Sequence, residues 1–473
     1  MEGGGKRQKC VDTALINNYS GYSIKDRDEY IPRIPSITSP QDFFASYILP
    51  RRPCIVTGGL TDEAWAGDKW SNRYLSEVAG DKVVRVERRR EKKDVSGEGD
   101  FGHGTYDLLP LKTFLENLEN DNTKHYLTTQ DLDVDDEGRP DVMSSPCTEL
   151  FHEGDFPLVP SLVGNLIPMN YNIWMGMNPK GKGSSSRLHH DFHDNLYVLL
   201  RGKKRFRLFS PADAESMSTV GEIAVVHPNG RICYEGEVTD AEGVDPSSRR
   251  AMEASVEQER AAEELAEAEE ALEALGESAD DDVRKEMEEA VRRCEERQER
   301  ALDDLVDAEG GDMFDDDGDE EDDNDEEDDN DEEDDNDEDD NASPPPSPPN
   351  KPQPTPSNFS QVDLSLPPAE LQKHFPSYAE VARKRETSVT LNPGEMLFLP
   401  AGWFHEVTSL SADAPGGGGK DSITGQVGKG MCGHMAFNYW FHPPSADTFE
   451  KPYESDFWTR DWAGRFGDDC NNS

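Results

Sequence analysis

The stretch Leu188–Pro211 has the sequence LHHDFHDNLYVLLRGKKRFRLFSP. It contains two runs that are typical of β-strands, Leu196–Leu200 and Lys204–Phe209, because apolar, aromatic and alternating residues dominate them. The tight Arg-Gly-Lys connection between the runs predicts a β-hairpin. His189 and Asp191 stand two residues apart just before the first run, so strand geometry directs both side chains to one face. The stretch therefore predicts paired strands with an imidazole and a carboxylate side by side at one end.

A third candidate ligand lies far downstream, in Leu391–Val407 (LNPGEMLFLPAGWFHEV). Asn392–Glu395 and Pro400–Gly402 predict turns around a strand at Met396–Leu399, and His405 begins the next strand. Two imidazoles and one carboxylate make the facial ligand set that leaves positions open on non-haem Fe(II). Each part alone has a more ordinary explanation, since His-x-Asp is common in surface sequence and a lone histidine is often a hydrogen-bonded core residue.

The charge of the chain is concentrated in one region. The formal net charge is -52, but residues 235–357 hold 51 acidic and 10 basic residues, against 49 and 38 in the remainder. Arg249–Glu309 predicts a charged helix or helical hairpin. The repeats of Asp, Glu and Asn at Asp315–Asp340 and the Pro/Ser run after them predict disorder, because they cannot bury apolar surface. The charge thus describes an insertion and not the core.

The two blocks around this insertion predict one interrupted domain, because neither block alone forms an evident fold. We place its first part at 30–234, the acidic insertion at 235–357, its second part at 358–452 and a C-terminal tail at 453–473. The Gly-rich stretch Ser411–Gly430 predicts a flexible loop. Further elements are predicted in the first part: a strand in Pro50–Gly59, a helix at Asp107–Leu118, and strands at Lys124–Thr128 and Tyr171–Met177.

Composition also indicates the class of protein and its compartment. The seven cysteines are scattered without a CxxC pair, which argues against structural zinc and favours free thiols in a reducing compartment. No apolar run approaches the length of a membrane span, and Met1–Cys10 lacks the apolar core of a secretory signal. Small basic clusters at Lys6–Lys9 and Arg88–Lys93 are candidate nuclear signals or plain surface. We expect an intracellular protein of the nucleus or cytoplasm, with no membrane and no direct DNA binding.

The stretches Leu188–Pro211, Leu391–Val407 and Phe437–Phe441 (FNYWF) resemble the metal-binding strands of JmjC oxygenases. They are most similar to the small hydroxylase branch that includes the asparaginyl hydroxylase acting on hypoxia-inducible factor. The resemblance implies a mainly β fold with flanking helices, a double-stranded β-helix of the jelly-roll or cupin-like kind, interrupted here by a long acidic, largely disordered insertion. It also implies Fe(II) as cofactor, with 2-oxoglutarate and O2 as co-substrates.

The same resemblance assigns residues to the site. It makes His189, Asp191 and His405 the iron ligands. It assigns five residues to 2-oxoglutarate: Lys204 and Tyr126 at the distal carboxylate, Ser186 where a threonine hydroxyl often lies, and Asn195 and Asn438 near the metal-proximal end. Strand alternation independently turns Lys204 inward with Phe206, away from the basic residues beside it. For Tyr126, Ser186, Asn195 and Asn438, an ordinary role in local hydrogen bonding remains open. Alternation turns His190 and His193 away from the ligand face.

The resemblance implies oxidative decarboxylation of 2-oxoglutarate to succinate and CO2, coupled to hydroxylation of a C–H bond. Hydroxylation of a protein side chain is the first hypothesis. Demethylation of N-methyl-lysine in histones is the second, because the same chemistry on a methyl group releases formaldehyde. A third is a non-catalytic scaffold whose acidic insertion binds a basic protein such as a histone. The His-x-Asp ligand pair and the lack of a Cys/His-rich reader module favour hydroxylation.

Overall fold

The computed structural model describes residues 16–89, 101–102, 104–120, 122–134, 140–179, 182–275, 281–310, 355–411 and 432–466. The predicted acidic tract Asp315–Asp340, most of the Pro/Ser run and nearly all of Ser411–Gly430 lie outside these residues, as do Lys6–Lys9 and Arg90–Lys93. None of the described helices is long and apolar enough to span a membrane.

The described chain contains nine α-helices and sixteen short strands. In chain order they are β1 (Ile16–Asn17), β2 (Arg33–Pro35), β3 (Cys54–Thr57), β4 (Val83–Arg88), β5 (Tyr106–Pro110), β6 (His125–Leu127), β7 (Pro168–Gly176), β8 (Ser184–Ser185), β9 (Asp194–Arg201), β10 (Lys203–Phe209), β11 (Ile223–Val226), β12 (Ile232–Tyr234), β13 (Thr387–Leu391), β14 (Glu395–Leu399), β15 (Phe404–Leu410) and β16 (His434–Phe441). The α-helices are α1 (Pro40–Phe43), α2 (Asn72–Ala79), α3 (Leu111–Glu119), α4 (Cys147–His152), α5 (Pro246–Glu273), α6 (Asp281–Gly310), α7 (Pro368–His374), α8 (Pro376–Arg385) and α9 (Phe457–Phe466).

Two main sheets are formed from these strands. The larger has the strand order β2-β3-β14-β9-β16-β7-β6-β4-β5, and the smaller has the order β13-β10-β15-β8. Strands β1, β11 and β12 pair separately. Because β9 and β10 of the first block pair with β14 and β15 of the second, neither block of the chain forms either main sheet alone. This arrangement confirms the predicted mainly β, jelly-roll fold with flanking helices.

Strand β9 shows how the core is divided between the two faces of the larger sheet. Leu199 points into the space between the sheets and packs in one cluster with Phe206 of β10. Leu196 and Val198 point the other way, into a second cluster that helices α2, α3 and α4 help to form. Burial on both faces explains why Leu196–Leu200 is a nearly continuous apolar run and not an alternating one.

The predicted hairpin between the two runs of Leu188–Pro211 is wrong. Strand β9 pairs with β14 and β16, whereas β10 pairs with β13 and β15, so the two consecutive strands lie in different sheets. Both strands have an apolar face, and these faces meet across the core instead of lying side by side. A short Gly-containing connection suits both arrangements, because Gly202 at a φ of 75° can reverse the chain in either.

Gly202→Ala is expected to destabilise the protein more than Gly236→Ala. Both glycines have positive φ, which alone costs an alanine about 1 kcal/mol. A Cβ at Gly202 would also lie 2.5 Å from the Leu410 carbonyl oxygen and 2.8 Å from His434 Cβ, whereas a Cβ at Gly236 meets no heavy atom within 4 Å. We expect free energies of unfolding lower by about 3 and about 1 kcal/mol, respectively, in chemical denaturation. Equal losses of unfolding free energy in the two variants would show that the connection between β9 and β10 has room for a side chain at residue 202.

The predicted helix at Asp107–Leu118 begins later than its pattern indicated. Tyr106–Pro110 is strand β5, paired with β4, and helix α3 runs from Leu111 to Glu119. Pro110 explains the difference, since a proline disfavours helical backbone at the residue before it. The apolar spacing itself was right: the residues buried on α3 are Leu111, Phe114, Leu115 and Leu118.

The chain divides into two compact units, Met1–Gly243 with Pro348–Ser473, and Val244–Ser347. In the second unit, α5 and α6 confirm the predicted helical hairpin, and Arg297 joins them through ion pairs with Glu257 and Glu264. In the first unit, the segment after Pro452 adds helix α9 and buries Tyr453 and Trp462 in the core. The domain boundaries drawn from the sequence stay predictions.

Candidate metal centre

His189, Asp191 and His405 meet at one end of the space between the two sheets. One potential ligand atom from each of them lies within 4.8 Å of the others. The Nε2 atom of His405 is 3.8 Å from Oδ2 of Asp191, and the two imidazole rings are 4.4 Å apart between centroids. Two nitrogens and one carboxylate oxygen in such a group are compatible with iron binding. Their individual roles as ligands stay predictions.

Backbone pairing brings these distant residues together. The His189 amide donates to the His405 carbonyl at 3.0 Å, and the His405 amide donates back at 2.7 Å. The Gly402 amide donates to the Asp191 carbonyl at 2.9 Å, so the turn before β15 is fixed against the His-x-Asp motif. His190 lies elsewhere, with its Nε2 2.7 Å from the Tyr234 hydroxyl, as its position in the alternation predicts.

Hydrogen bonds to the backbone set the tautomers of both histidines. Nδ1 of His189 is 3.1 Å from the Arg187 carbonyl oxygen, and Nδ1 of His405 is 2.9 Å from the Trp403 carbonyl oxygen. Because a carbonyl only accepts, each Nδ1 carries the proton and each Nε2 keeps its lone pair. This is the partner arrangement that orients metal-binding histidines.

Electrostatics favours the protonation states that a metal requires. Burial, together with the neighbouring His405, lowers the pKa of His189 to about 4, so its imidazole is neutral at pH 7. Burial acts to raise the pKa of Asp191, but His405 and His189 outweigh it and the pKa is lowered, so the carboxylate is charged. A neutral imidazole and a charged carboxylate bind a cation without first losing a proton.

A chain of side-chain hydrogen bonds runs from Asp191 into the core. Nδ2 of Asn195 donates to Asp191 Oδ2 at 3.2 Å, and Nδ2 of Asn438 donates to Asn195 Oδ1 at 3.2 Å. Asn438 then accepts from Trp174 Nε1 at 2.6 Å. Asn195 lines the cavity beside the ligand group, whereas the fully buried Asn438 stands one hydrogen bond behind it. The proposed contacts of both amides with 2-oxoglutarate stay predictions.

Lys204 is a buried ammonium at the other end of the same cavity. Its side chain is 1% exposed, and Nζ donates to the Ser409 hydroxyl at 2.7 Å and to the Tyr126 hydroxyl at 3.2 Å. Within the described part of the chain, no carboxylate forms an ion pair with it. Burial lowers the pKa of Lys204 to about 7. A buried cation whose partners are neutral hydroxyls fits a site for an anionic ligand.

A single cavity joins the candidate ligands to Lys204. Its empty volume, including the part open to solvent, is about 550 Å³. The residues that line it are Phe101, Tyr126, Trp174, Ser184, Ser185, Ser186, His189, Asp191, Asn195, Tyr197, Lys204, Phe206, His405, Val407, Ser409 and Trp440. Ser186, which the resemblance assigned to the co-substrate, already accepts from the Val407 amide at 3.1 Å and donates to the Arg187 carbonyl at 3.2 Å.

Ser409 was missed in the sequence analysis, as was the buried ion pair between Arg51 and Asp194. Ser409 follows His405 by four residues on β15, so alternation alone would have placed it on the same face. Its pairing with Lys204 depends on the register of β10 with β15, which the sequence does not reveal. Asp194 is fully buried, pairs with Arg51 and accepts from the Ala401 amide at 2.9 Å. No motif in the sequence indicated Arg51.

Comparisons with known proteins agree with this geometry. A family model described as a cupin-like domain matches residues 40–447. The JmjC domain-containing protein 4 of Schizosaccharomyces pombe is 32% identical over 470 residues, covering 93% of this chain and 90% of that protein.

Two more distant relatives match a smaller part. The human bifunctional peptidase and (3S)-lysyl hydroxylase JMJD7 is 26% identical over 189 residues, which cover 39% of this chain and 55% of that protein. The lysine-specific demethylase JMJ32 of Arabidopsis thaliana is 25% identical over 207 residues, which cover 40% and 53%. With the family match across most of its length, the chain belongs to the cupin-like JmjC family, whose members are 2-oxoglutarate-dependent oxygenases that typically use Fe(II).

Proposed function

We propose that this protein is an Fe(II)- and 2-oxoglutarate-dependent dioxygenase that hydroxylates a protein side chain. The observation that carries the proposal is one cavity that contains both the His189, Asp191 and His405 group and the buried ammonium of Lys204. A non-catalytic scaffold has no use for this combination, because burying an ammonium without a carboxylate costs free energy.

Each group in the cavity has a defined task in this proposal. His189, Asp191 and His405 hold the metal and leave its other positions open toward the cavity. Bound Fe(II) and 2-oxoglutarate supply the oxidising chemistry, in which decarboxylation to succinate and CO2 is coupled to hydroxylation of a C–H bond. Lys204 and Tyr126 bind the distal carboxylate of 2-oxoglutarate, with Ser409 holding the ammonium in place.

The aromatic wall of the cavity has a separate task. Phe101 and Trp174 flank Tyr126, with ring centroids 5.0 and 6.2 Å from it, and Trp440 lies 6.1 Å from Trp174. These rings exclude water from the space between Lys204 and the metal ligands. Exclusion strengthens the pairing of carboxylate and ammonium and protects a reactive site from side reactions.

Demethylation of N-methyl-lysine is the alternative, and the relatives include proteins named for each activity. Mass spectrometry separates the two. Purified protein would be incubated with Fe(II), 2-oxoglutarate, ascorbate and a digest of cellular proteins, with the Lys204→Ala variant as control. We expect peptides that gain one oxygen atom in the wild-type sample alone. Peptides that lose a methyl group, together with release of formaldehyde, would replace hydroxylation by demethylation.

The affinity for 2-oxoglutarate is expected to fall as the pH rises above about 7. Burial lowers the pKa of Lys204 to about 7, so the ammonium that pairs with a carboxylate becomes the minor form above that pH. Each further pH unit weakens binding by up to about tenfold. Calorimetric titration of the Mn(II)-loaded protein measures this slope. Lys204→Arg, which stays charged, is the matched control and should show a flat profile; a flat wild-type profile would contradict the assignment.

A further inference from the structure

The segment Ser357–Ser360, here called the return segment, lies between the backbone at Leu188–His189 and the backbone at Thr219–Val220. On one side, the Ser360 amide donates to the Leu188 carbonyl at 2.8 Å. On the other side, the Val220 amide donates to the Phe359 carbonyl at 2.8 Å. These bonds hold the return segment in a fixed register beside His189, with which Phe359 forms an antiparallel β-bridge.

The side chain of Phe359 packs directly on the imidazole of His189. The two rings are 4.9 Å apart between centroids and only 11° from parallel, which is a stacked arrangement. The Nδ1 atom of the same imidazole is fixed by its hydrogen bond to the Arg187 carbonyl at 3.1 Å. The hydrogen bond limits rotation within the ring plane, and the stacked phenyl ring limits tilting out of it. Together they leave the His189 ring one orientation.

Arg187, two residues before His189, packs its guanidinium against the ring of Phe359. Its guanidinium carbon lies 5.3 Å from the centre of the Phe359 ring, and its nitrogens donate to the carbonyls of Gly102 at 3.2 Å and Ser360 at 3.4 Å. Arg187 has a φ of 69°, a conformation that costs a residue with a side chain about 1 kcal/mol. These contacts hold the strained residue in place.

We infer that Phe359 is a positioning residue for the metal centre, acting through the ring of His189 and supported by the guanidinium of Arg187. Phe359 offers no ligand atom, so its effect is to keep the free nitrogen of His189 directed toward Asp191 and His405. The inference rests on the proposed function in taking His189 as a metal ligand. Groups that orient a metal-binding histidine typically contribute 10–100-fold to metal affinity.

Calorimetric titration of metal-free protein with Mn(II) tests this role without relying on turnover. We expect Phe359→Ala to weaken Mn(II) binding at least about tenfold. Phe359→Tyr keeps the ring and should bind within about twofold of wild type. Phe375→Ala is the matched control, because Phe375 is also half-buried and follows the insertion but packs against the hydrophobic cluster that includes Tyr378 and Val381. It should leave the Mn(II) affinity unchanged.

A second variant tests whether weaker Mn(II) binding could result from unfolding alone. Arg187→Gly removes the guanidinium, but glycine adopts a φ of 69° without strain, so the backbone is not destabilised. We expect Mn(II) binding to weaken by about fivefold or more, while circular dichroism and a cooperative thermal transition show that the variant is folded. The visible spectrum of the Co(II)-loaded protein should change in Phe359→Ala and stay unchanged in Phe375→Ala, since it reports the geometry of the ligands.

The outcomes separate this inference from the proposed function. Wild-type protein that fails to bind Mn(II) would overturn the proposed function itself. Wild-type binding that Phe359→Ala retains in full would overturn the positioning role alone. Equal weakening in Phe359→Ala and Phe375→Ala would also overturn it, because the effect would then come from general loosening of the fold.

Discussion

Asp191→Ala is expected to abolish Mn(II) binding and to reduce turnover of 2-oxoglutarate by at least about 10³-fold. Asp191 supplies the carboxylate of the candidate ligand group, and its negative charge is the main attraction for a cation beside the two imidazoles. Without it, His189 and His405 remain as a pair of imidazoles, which cannot complete the facial set. Calorimetry with Mn(II) measures the binding, and succinate formation measures the turnover.

The control for this variant is Asp363→Ala. Asp363 is also a buried carboxylate, but it accepts hydrogen bonds from the Ser365 amide and hydroxyl and does not line the cavity. Its loss should lower stability modestly and leave the Mn(II) affinity unchanged. If Asp191→Ala folds as judged by circular dichroism and still binds Mn(II) like wild type, the ligand assignment is wrong.

Lys204→Met is expected to raise stability while it abolishes 2-oxoglutarate binding. Burial lowers the pKa of Lys204 to about 7 from its ordinary value near 10.5, so the folded state bears a cost of several kcal/mol for this group at neutral pH. Methionine removes that cost and fills a similar volume, but it forfeits hydrogen bonds to Ser409 and Tyr126 worth about 1 kcal/mol each. We expect a net gain of about 1–2 kcal/mol in the free energy of unfolding.

The pH dependence of this gain follows from the direction of the pKa shift. Between about pH 7 and 10.5 the unfolded chain holds a proton on Lys204 that the folded chain has lost. Wild-type stability therefore rises with pH over that window, and the advantage of Lys204→Met shrinks toward its upper end. Lys203→Met is the control, since Lys203 is exposed on the other face of β10 and should change stability by less than about 0.5 kcal/mol. A Lys204→Met variant that binds 2-oxoglutarate normally would remove Lys204 from the site.

Local sequence patterns predicted the parts of the site that depend on local geometry. The spacing of His189 and Asp191 predicted that their side chains share a face, and the structure brings both into one group although they precede strand β9. Alternation along Lys204–Phe209 predicted that Lys204 points inward, and the structure buries it while Lys203 and Arg205 are exposed. The prediction for Lys204 succeeds because a strand has a fixed two-residue period, whatever its partners are.

The wrong hairpin prediction and the contacts that were not predicted all depend on pairing between distant parts of the chain. Gly202 marks a tight connection, but only the partners of β9 and β10 show that it joins two sheets and not a hairpin. Ser409 meets Lys204 through the register of β10 with β15, and Phe359 reaches His189 across the whole insertion. Register over such separations is set by the packing of the two sheets, which leaves no local signal in the sequence.

Succinate formation from 2-oxoglutarate, with Fe(II) and ascorbate, is the direct test of whether this cavity is a dioxygenase site. Wild-type protein would be compared with Asp191→Ala and Lys204→Met. We expect succinate from the wild-type protein even without added substrate, and background levels from both variants. Equal succinate from all three proteins would contradict this expectation, as would wild-type protein that neither forms succinate nor binds 2-oxoglutarate in the presence of metal.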